Sequence, residues 1–281
     1  MAPVATQPPP TSAPTLLSHP IKALFTSTTL AMTSTLQAVP PPPPPAPSTS
    51  ARPTERPEAD IPPRAKFEFD DMEAALEAFG RGEFLVVMDD ESRENEGDLI
   101  IAASECSTEK MAWMIRHTSG FICIALPGER LQELDIPMMV AENQDPKQTA
   151  YTVTVDYKHG TSTGISAHDR ALTARALASP TSVSTSFTRP GHLNPLRARQ
   201  GGTLVRGGHT ESGVDLCSLT GLPKAGLLCE LVNDNETGSM MRRDDCRRFA
   251  DRWGVKMISV EMIKEWRRKT EKAQVNGESQ A

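Results

Sequence analysis

No run of apolar residues in this chain is long enough to span a bilayer, so nothing points to a transmembrane helix. Basic residues do not outnumber acidic ones. The formal net charge is −6, which leaves no cationic footprint for nucleic acid. No CxxC pair occurs. The five cysteines (Cys106, Cys123, Cys217, Cys229 and Cys246) are scattered, most of them in apolar contexts. That pattern fits free thiols in a reducing compartment better than a disulfide framework or a zinc site. There is no GxGxxG or Walker A pattern and no internal repeat. These absences describe a cytoplasmic protein with neither membrane nor nucleic acid as a partner.

Proline is unevenly spread: 17 of the 24 prolines precede Lys66, with an unbroken run at 40–45. Residues 1–65 are rich in Pro, Ser, Thr and Ala. Such a segment cannot bury enough apolar surface to offset its ordering entropy, so disorder or polyproline conformation is expected there. Its few acids and many Ser and Thr are shared with organelle transit peptides, although basic residues are few before Arg52. A proline-rich tail could also serve SH3-like or WW-like domains. Residues 66–268 suffice for one well-filled core, followed by a polar tail at 269–281.

Apolar periodicity and capping residues predict helices over 70–79, 107–120, 168–178, 209–219, 244–253 and 259–268, with a helical turn at 129–134. Strands are expected at 84–88, 99–103, 121–126, 151–156, 203–206, 226–232 and 255–258. Residues 140–149 and 179–188 read as loops, and 189–197 is assigned no element. Strands and helices alternate, yet some strands adjoin in sequence. The expected class is α+β: three layers, with a mixed, twisted β-sheet covered by helices on both faces.

Two stretches carry chemistry. The first is Asp89-Asp90-Glu91-Ser92-Arg93-Glu94-Asn95-Glu96-Gly97-Asp98, six carboxylates and one Arg between two apolar strands. So many like charges repel unless a divalent cation, a clamped Arg or both gather them. A solvated acidic turn would have the same composition, but the apolar flanks place this loop at the end of a buried sheet. An EF-hand is excluded, because with Gly97 at position six Ser92 falls at position one.

The second is Arg206-Gly207-Gly208-His209-Thr210-Glu211, where a strand is expected to end and a helix to begin. Free amides at a helix start, beside Arg206 and Thr210, suit a phosphate, and His209 suits a metal ligand or proton shuttle. An ordinary strand-to-helix turn reads equally well. Glu230 is the lone acid in Leu227-Leu228-Cys229-Glu230-Leu231-Val232; on a central strand it would face the interior with a raised pKa, on an edge strand it would face water. His192, in Arg189-Pro190-Gly191-His192, is either catalytic or simply exposed. These groups together suggest a phosphorylated small molecule, a hard divalent ion and proton abstraction beside a carbonyl.

The acidic motif at 89–98, Ile115-Arg116-His117-x-Ser119-Gly120, Thr163-Gly164-Ile165-Ser166-Ala167-x-Asp169-Arg170, Arg189-Pro190-Gly191-His192, the 206–211 motif and Leu228-Cys229-Glu230-Leu231 occur in a fixed order. Over residues 69–262 the chain thereby resembles the 3,4-dihydroxy-2-butanone 4-phosphate synthases of riboflavin biosynthesis, in their monofunctional form. The resemblance implies a Mg2+-dependent lyase, with Mn2+ as an alternative, that turns ribulose 5-phosphate into 3,4-dihydroxy-2-butanone 4-phosphate and formate. It implies proton removal at C3, an enediol, loss of the C1 hydroxyl and a skeletal shift that excises C4. By position, Glu94 and His209 match metal ligands. Arg93, Glu94, Asp98, Thr163, Arg206, Gly207, Gly208, His209, Thr210 and Glu230 match substrate-binding positions. His192, Glu230, Glu96 and Asp98 are the catalytic candidates. The family is a homodimer with sites at the subunit interface, so His192 is expected to serve the neighbouring chain. A metal-dependent phosphosugar isomerase or aldolase, and an interaction protein with a proline-rich tail, are the competing readings.

Overall fold

The computed structural model describes residues 42–278 other than 48 and 62. Most of the proline-rich segment expected to be disordered lies outside the described residues. The described residues form seven strands: β1 Leu85–Met88, β2 Gly97–Ala102, β3 Cys123–Leu126, β4 Val155–Tyr157, β5 Phe187–Arg197, β6 Gly226–Glu230 and β7 Lys256–Ser259. Seven α-helices accompany them: α1 Met72–Gly80, α2 Thr108–His117, α3 Gly128–Glu133, α4 Ala167–Ala178, α5 His209–Leu219, α6 Arg243–Trp253 and α7 Val260–Glu278. None of the described helices is long and apolar enough to cross a membrane.

The strands lie in one sheet in the order β4-β5-β3-β6-β2-β1-β7. β5 with β3 and β1 with β7 are parallel, and the other neighbours are antiparallel. Alternation along the central strands produces two apolar faces. Val86, Leu99, Ile101 and Leu227 pack with Met111 and Met114 of α2, Ala171 and Ala174 of α4, and Phe249 of α6. Leu85, Val87, Ile100 and Leu228 pack with Phe79 of α1, Leu216 and Cys217 of α5, and Ile263 of α7. The expected mixed sheet with helices on both faces is therefore what forms. All five cysteines are free and buried.

Local chemistry explains the helix starts. Asp71 caps α1 by accepting from the Ala74 amide at 2.9 Å, and Ser107 and Ser166 cap α2 and α4 in the same way. α5 packs unusually close to β6. A Cβ on Gly226 would lie 2.7 Å from the Cα of Gly213, so two facing glycines set the depth at which the helix sits.

Four readings differ. The 189–197 stretch, with two prolines and a glycine, is the body of β5. Pro195 needs no amide there, because its carbonyl accepts from the Thr152 amide at 3.1 Å and hydroxyl at 2.9 Å. Residues 203–206 do not form a strand. Gly202–Leu204 is a 3-10 turn, with φ of 90° at Gly201 and 62° at Gly202, held by Asp215, which accepts from Thr203 N and Oγ1 at 2.8 and 2.6 Å. The 151–156 strand shrinks to Val155–Tyr157, leaving Tyr151 and Thr152 in isolated bridges. The last helix also continues through Glu278, beyond the expected boundary at 268.

The segment before α1 is tied to α6 and β7 by charge. Arg64 forms a two-point pair with Asp251 at 2.7 Å. Asp70 accepts from Arg247 at 2.8 Å and from the Met257 amide at 2.7 Å. Burial would push the Asp70 carboxyl up, but the Arg247 guanidinium and the Met257 amide outweigh it and hold the group below its ordinary value. Its contribution is thus present above the unfolded-state pKa and lost as pH falls through the lower folded value. Asp70→Asn should cost about 1–2 kcal/mol at pH 7, with the gap to wild type closing below about pH 4. Urea unfolding at pH 7 and pH 3.5 measures this; a gap equal at both would show that the charge contributes nothing.

Candidate active site

The β2–β6 register places Asp98 directly opposite Glu230. Each lies two residues from a side chain on the α5 face, Ile100 and Leu228, so both carboxylates emerge on that face at the end of the sheet. His209, the first residue of α5, arrives above them. Its Nε2 is 3.1 Å from the Val87 carbonyl oxygen, which can only accept, so Nε2 carries the proton and Nδ1 presents a lone pair. Nδ1 lies 3.4 Å from Asp98 Oδ1 and 3.9 Å from Glu94 Oε2. Asp98 Oδ1 is buried with no hydrogen-bond partner. Burial, then the charges of Glu230, Glu94 and Glu96, push the Asp98 carboxyl well above its ordinary value. Burial pushes His209 the other way, towards the neutral imidazole.

The acidic loop is organised by Asp89, which sits at the end of β1 with its side chain fully enclosed. Its oxygens accept from Arg93 Nη1 at 2.8 Å, the Glu94 amide at 3.1 Å and the Glu96 amide at 2.9 Å. Arg93 also bridges to the Glu94 carboxylate. The positive group that the charge run demanded is thus, in part, Arg93 itself. Asp89, Glu94 and His209 offer ligand atoms within 4.8 Å of one another. Asp89 already accepts from three donors and Glu94 from Arg93 alone, which leaves Glu94 and His209 as the more open pair. A carboxylate, a neutral imidazole with its lone pair turned inward and an unpartnered buried Asp98 oxygen fit a hard divalent cation. Asp89 belongs to the stretch singled out from sequence, but nothing in the pattern separated its orienting role from its neighbours.

A cavity of about 180 Å3 opens here, with Glu94, Glu96, Asp98 and Glu230 on one wall and Arg206, His209 and Thr210 on another. Burial, and next the charge of Glu94, push Glu96 above its ordinary value. Glu230 Oε2 accepts from Ser119 Oγ at 3.1 Å. α5 has no side-chain cap, so its first-turn amides are available to an anion beside Arg206. Arg206 is aimed by Glu211 (2.5 Å) and by the Lys147 carbonyl (3.1 Å). Gly208 leaves room for that pairing, since a Cβ there would lie 2.4 Å from Arg206 Nη1. Gly207 faces away, bordering a separate cavity towards Lys264. The 140–149 loop was read from sequence as a loop without a site role, yet Asp145 and Thr149 line the cavity, as does Tyr151 just after it. Burial pushes the Tyr151 hydroxyl up to about 12.

His192 and Thr163 do not line this cavity. They belong to a second cluster on β4, β5 and the loop before α4. His192 Nδ1 donates to Asp156 Oδ2 at 2.7 Å and its amide to Asp156 Oδ1 at 2.8 Å, which leaves Nε2 free. Gly164 packs directly on this pair; with φ of +96°, a Cβ there would lie 2.0 Å from Asp156 Oδ2. Asp169 holds the loop by accepting from the Ser162 and Gly164 amides at 3.1 and 2.9 Å. The imidazole of His192 is 43 % exposed. Asp156 had no mark in sequence beyond its place at a strand end.

Residues 73–266 match the family described as 3,4-dihydroxy-2-butanone 4-phosphate synthase. The enzyme of that name from Schizosaccharomyces pombe is 57 % identical over 196 residues, covering 69 % of this chain and 96 % of the relative. The Candida albicans enzyme is 52 % identical over 198 residues, covering 70 % and 97 %. Among solved structures, a 3,4-dihydroxy-2-butanone 4-phosphate synthase in complex with two magnesium ions superimposes with a TM-score of 0.71 at 50 % identity, over 72 % of this chain and 99 % of that one. The match spans both the acidic loop and the α5 start, and the chain belongs to the 3,4-dihydroxy-2-butanone 4-phosphate synthase family.

Proposed function

We propose that this chain converts D-ribulose 5-phosphate into 3,4-dihydroxy-2-butanone 4-phosphate and formate for riboflavin biosynthesis, with residues 66–268 as its one catalytic domain. The observation that carries the reading is the convergence of Glu94, Asp98 and Glu230 on the neutral His209 beside the uncapped start of α5. Glu94 and His209 would hold Mg2+, with Mn2+ as an alternative. The ion would supply stabilisation of negative charge on substrate oxygens next to a carbonyl.

The chain's own groups do the rest. Arg206 and the α5 amides take the phosphate and fix the sugar's direction in the cavity. Asp98, its carboxyl pushed up by burial and by the neighbouring acids, is placed to exchange a proton with a substrate oxygen. Glu230, anchored by Ser119, faces the same space as a second acid/base group. The acidic loop forms one wall and keeps water from a reactive enediol. Five buried, unpaired thiols support the cytoplasm as its compartment.

We assign the His192–Asp156 pair to the site of a second copy of this chain, in a homodimer. Two features support this: the pair is built like a catalytic dyad yet does not line the cavity of Glu94 and His209, and large apolar side chains are exposed beside the pair and at the cavity wall. Ile165, next to Gly164, is 53 % exposed, and Phe121, whose ring lies 6.4 Å from that of Tyr151 at the cavity wall, is 51 % exposed.

Formate release from ribulose 5-phosphate should be stoichiometric and Mg2+-dependent, and should fall by about 10²-fold or more in Glu94→Gln and His209→Ala. Exchange of the C3 proton without formate would instead identify an isomerase-like enzyme. No turnover would leave an interaction protein. A 1:1 mixture of refolded Glu94→Gln and His192→Ala, each inactive alone, should recover about a quarter of wild-type activity, because half the dimers carry one intact site of two. Absence of recovery in mixed dimers would place His192 outside the partner's site.

A further inference from the structure

Two of the cavity carboxylates, Glu94 and Glu96, sit on a loop whose inner anchor is Asp89, but a second set of contacts grips the same loop. Arg242, at the cap of α6, donates Nη1 to the Glu94 carbonyl at 2.9 Å and to the Asn95 carbonyl at 2.6 Å. Lys147 donates Nζ to the Arg93 carbonyl. Three successive main-chain oxygens are thus held by cations from two other parts of the fold. The gripped turn is the strained one, because Asn95 lies in the left-handed region at φ 55°.

An arginine beside six carboxylates would ordinarily take a carboxylate. The Glu96 carboxylate is the nearest, at 4.0 Å, yet both close contacts of Arg242 go to backbone. The side chain is rooted on a rigid element. The Arg242 amide donates to Asp245 at 3.1 Å, and Cys246, Phe249 and Ala250 bury the following turn in the core. With their carbonyls turned out to Arg242, the peptide planes around Asn95 are fixed. The flanking side chains of Glu94 and Glu96 then point into the cavity.

We infer that Arg242 is a positioning residue, acting with Lys147, which sets the aim of Glu94 and Glu96 by clamping the loop's carbonyls before any metal or substrate arrives. The inference rests on the reading of Glu94 and His209 as Mg2+ ligands. Arg242→Met keeps the hydrocarbon stem and removes the donors. Titration of Mg2+ into the substrate-free protein by calorimetry should show affinity weakened about tenfold, with kcat/KM lowered about 10–100-fold. Amide hydrogen exchange across 92–96, measured without metal, should accelerate by a similar factor. Arg243→Met is the control: Arg243 touches Glu91, Asp244 and the Phe67 ring, and its removal should leave Mg2+ affinity unchanged. Arg242→Lys should recover part of the loss.

Wild-type exchange of the loop amides and wild-type Mg2+ affinity in folded Arg242→Met would overturn the inference. Were that variant not to fold, Arg242→Gln, which retains one amide group, decides by the same two readouts. Should wild-type protein itself fail to bind Mg2+, the metal assignment falls, and the exchange experiment still decides the clamp.

Discussion

Four carboxylates, those of Glu94, Glu96, Asp98 and Glu230, face one small cavity, and their mutual repulsion is the condition the surrounding structure has to meet. It is met without filling the cavity with positive side chains. Arg93 lines the cavity but is shared between Asp89 and Glu94. Arg242 and Lys147 approach from outside and bind main-chain oxygens. The charge of Arg206 is balanced by Glu211, so it is held in place and not drawn across to the acids. His209 is kept neutral by burial, and the Asp98 carboxyl is pushed towards its protonated form. A concentrated negative site with an inward lone pair remains, which suits a small hard cation better than a lysine or arginine partner.

That geometry originates in packing, well away from the charges. Gly213 meets Gly226 where α5 crosses β6, and this contact sets how deeply the helix seats. A shallower helix would lift His209 from the Val87 carbonyl and free its ring to choose the other tautomer, which would turn a proton inward where a lone pair is needed. The register of β2 on β6 then determines which acids meet it. A slip of one residue would send Asp98 or Glu230 to the opposite, apolar face.

The layered α+β architecture was legible in the sequence because its signals are local: short apolar runs within 85–88 and 97–102, and Ser and Asp caps before α1, α2 and α4. β5 was not, because Pro190, Gly191 and Pro195 are residues that elsewhere break strands. Here the neighbouring segments ask for the Pro195 carbonyl and not for an amide. The acidic loop and the start of α5 could be recognised as chemistry because composition alone marks them. Their partners could not. Asp89 is one acid among six in its own loop, and Asp156, Lys147 and Arg242 act through hydrogen bonds to residues far along the chain; no periodicity or charge run records such pairings.

The stretch leading into α1 shows the same limit from the other side. Composition from 1 to 65 offers little to bury, and apolar arguments stop there. Charge continues past that point. α6 turns Phe249 and Ala250 to the core, which leaves Arg243, Arg247, Asp251 and Arg252 along its outer side. Glu55 meets Arg252, Arg64 meets Asp251, Phe67 lies under Arg243 and Asp70 meets Arg247. The exposed pairs contribute little individually, while the part-buried ones, Arg64–Asp251 and Asp70–Arg247, have the two-point or amide-supported geometry that gives such pairs weight. The helix that carries these contacts is capped by Arg242, which holds the acidic loop. A segment that looks dispensable by hydrophobicity is therefore joined, through one rigid helix, to the wall of the cavity.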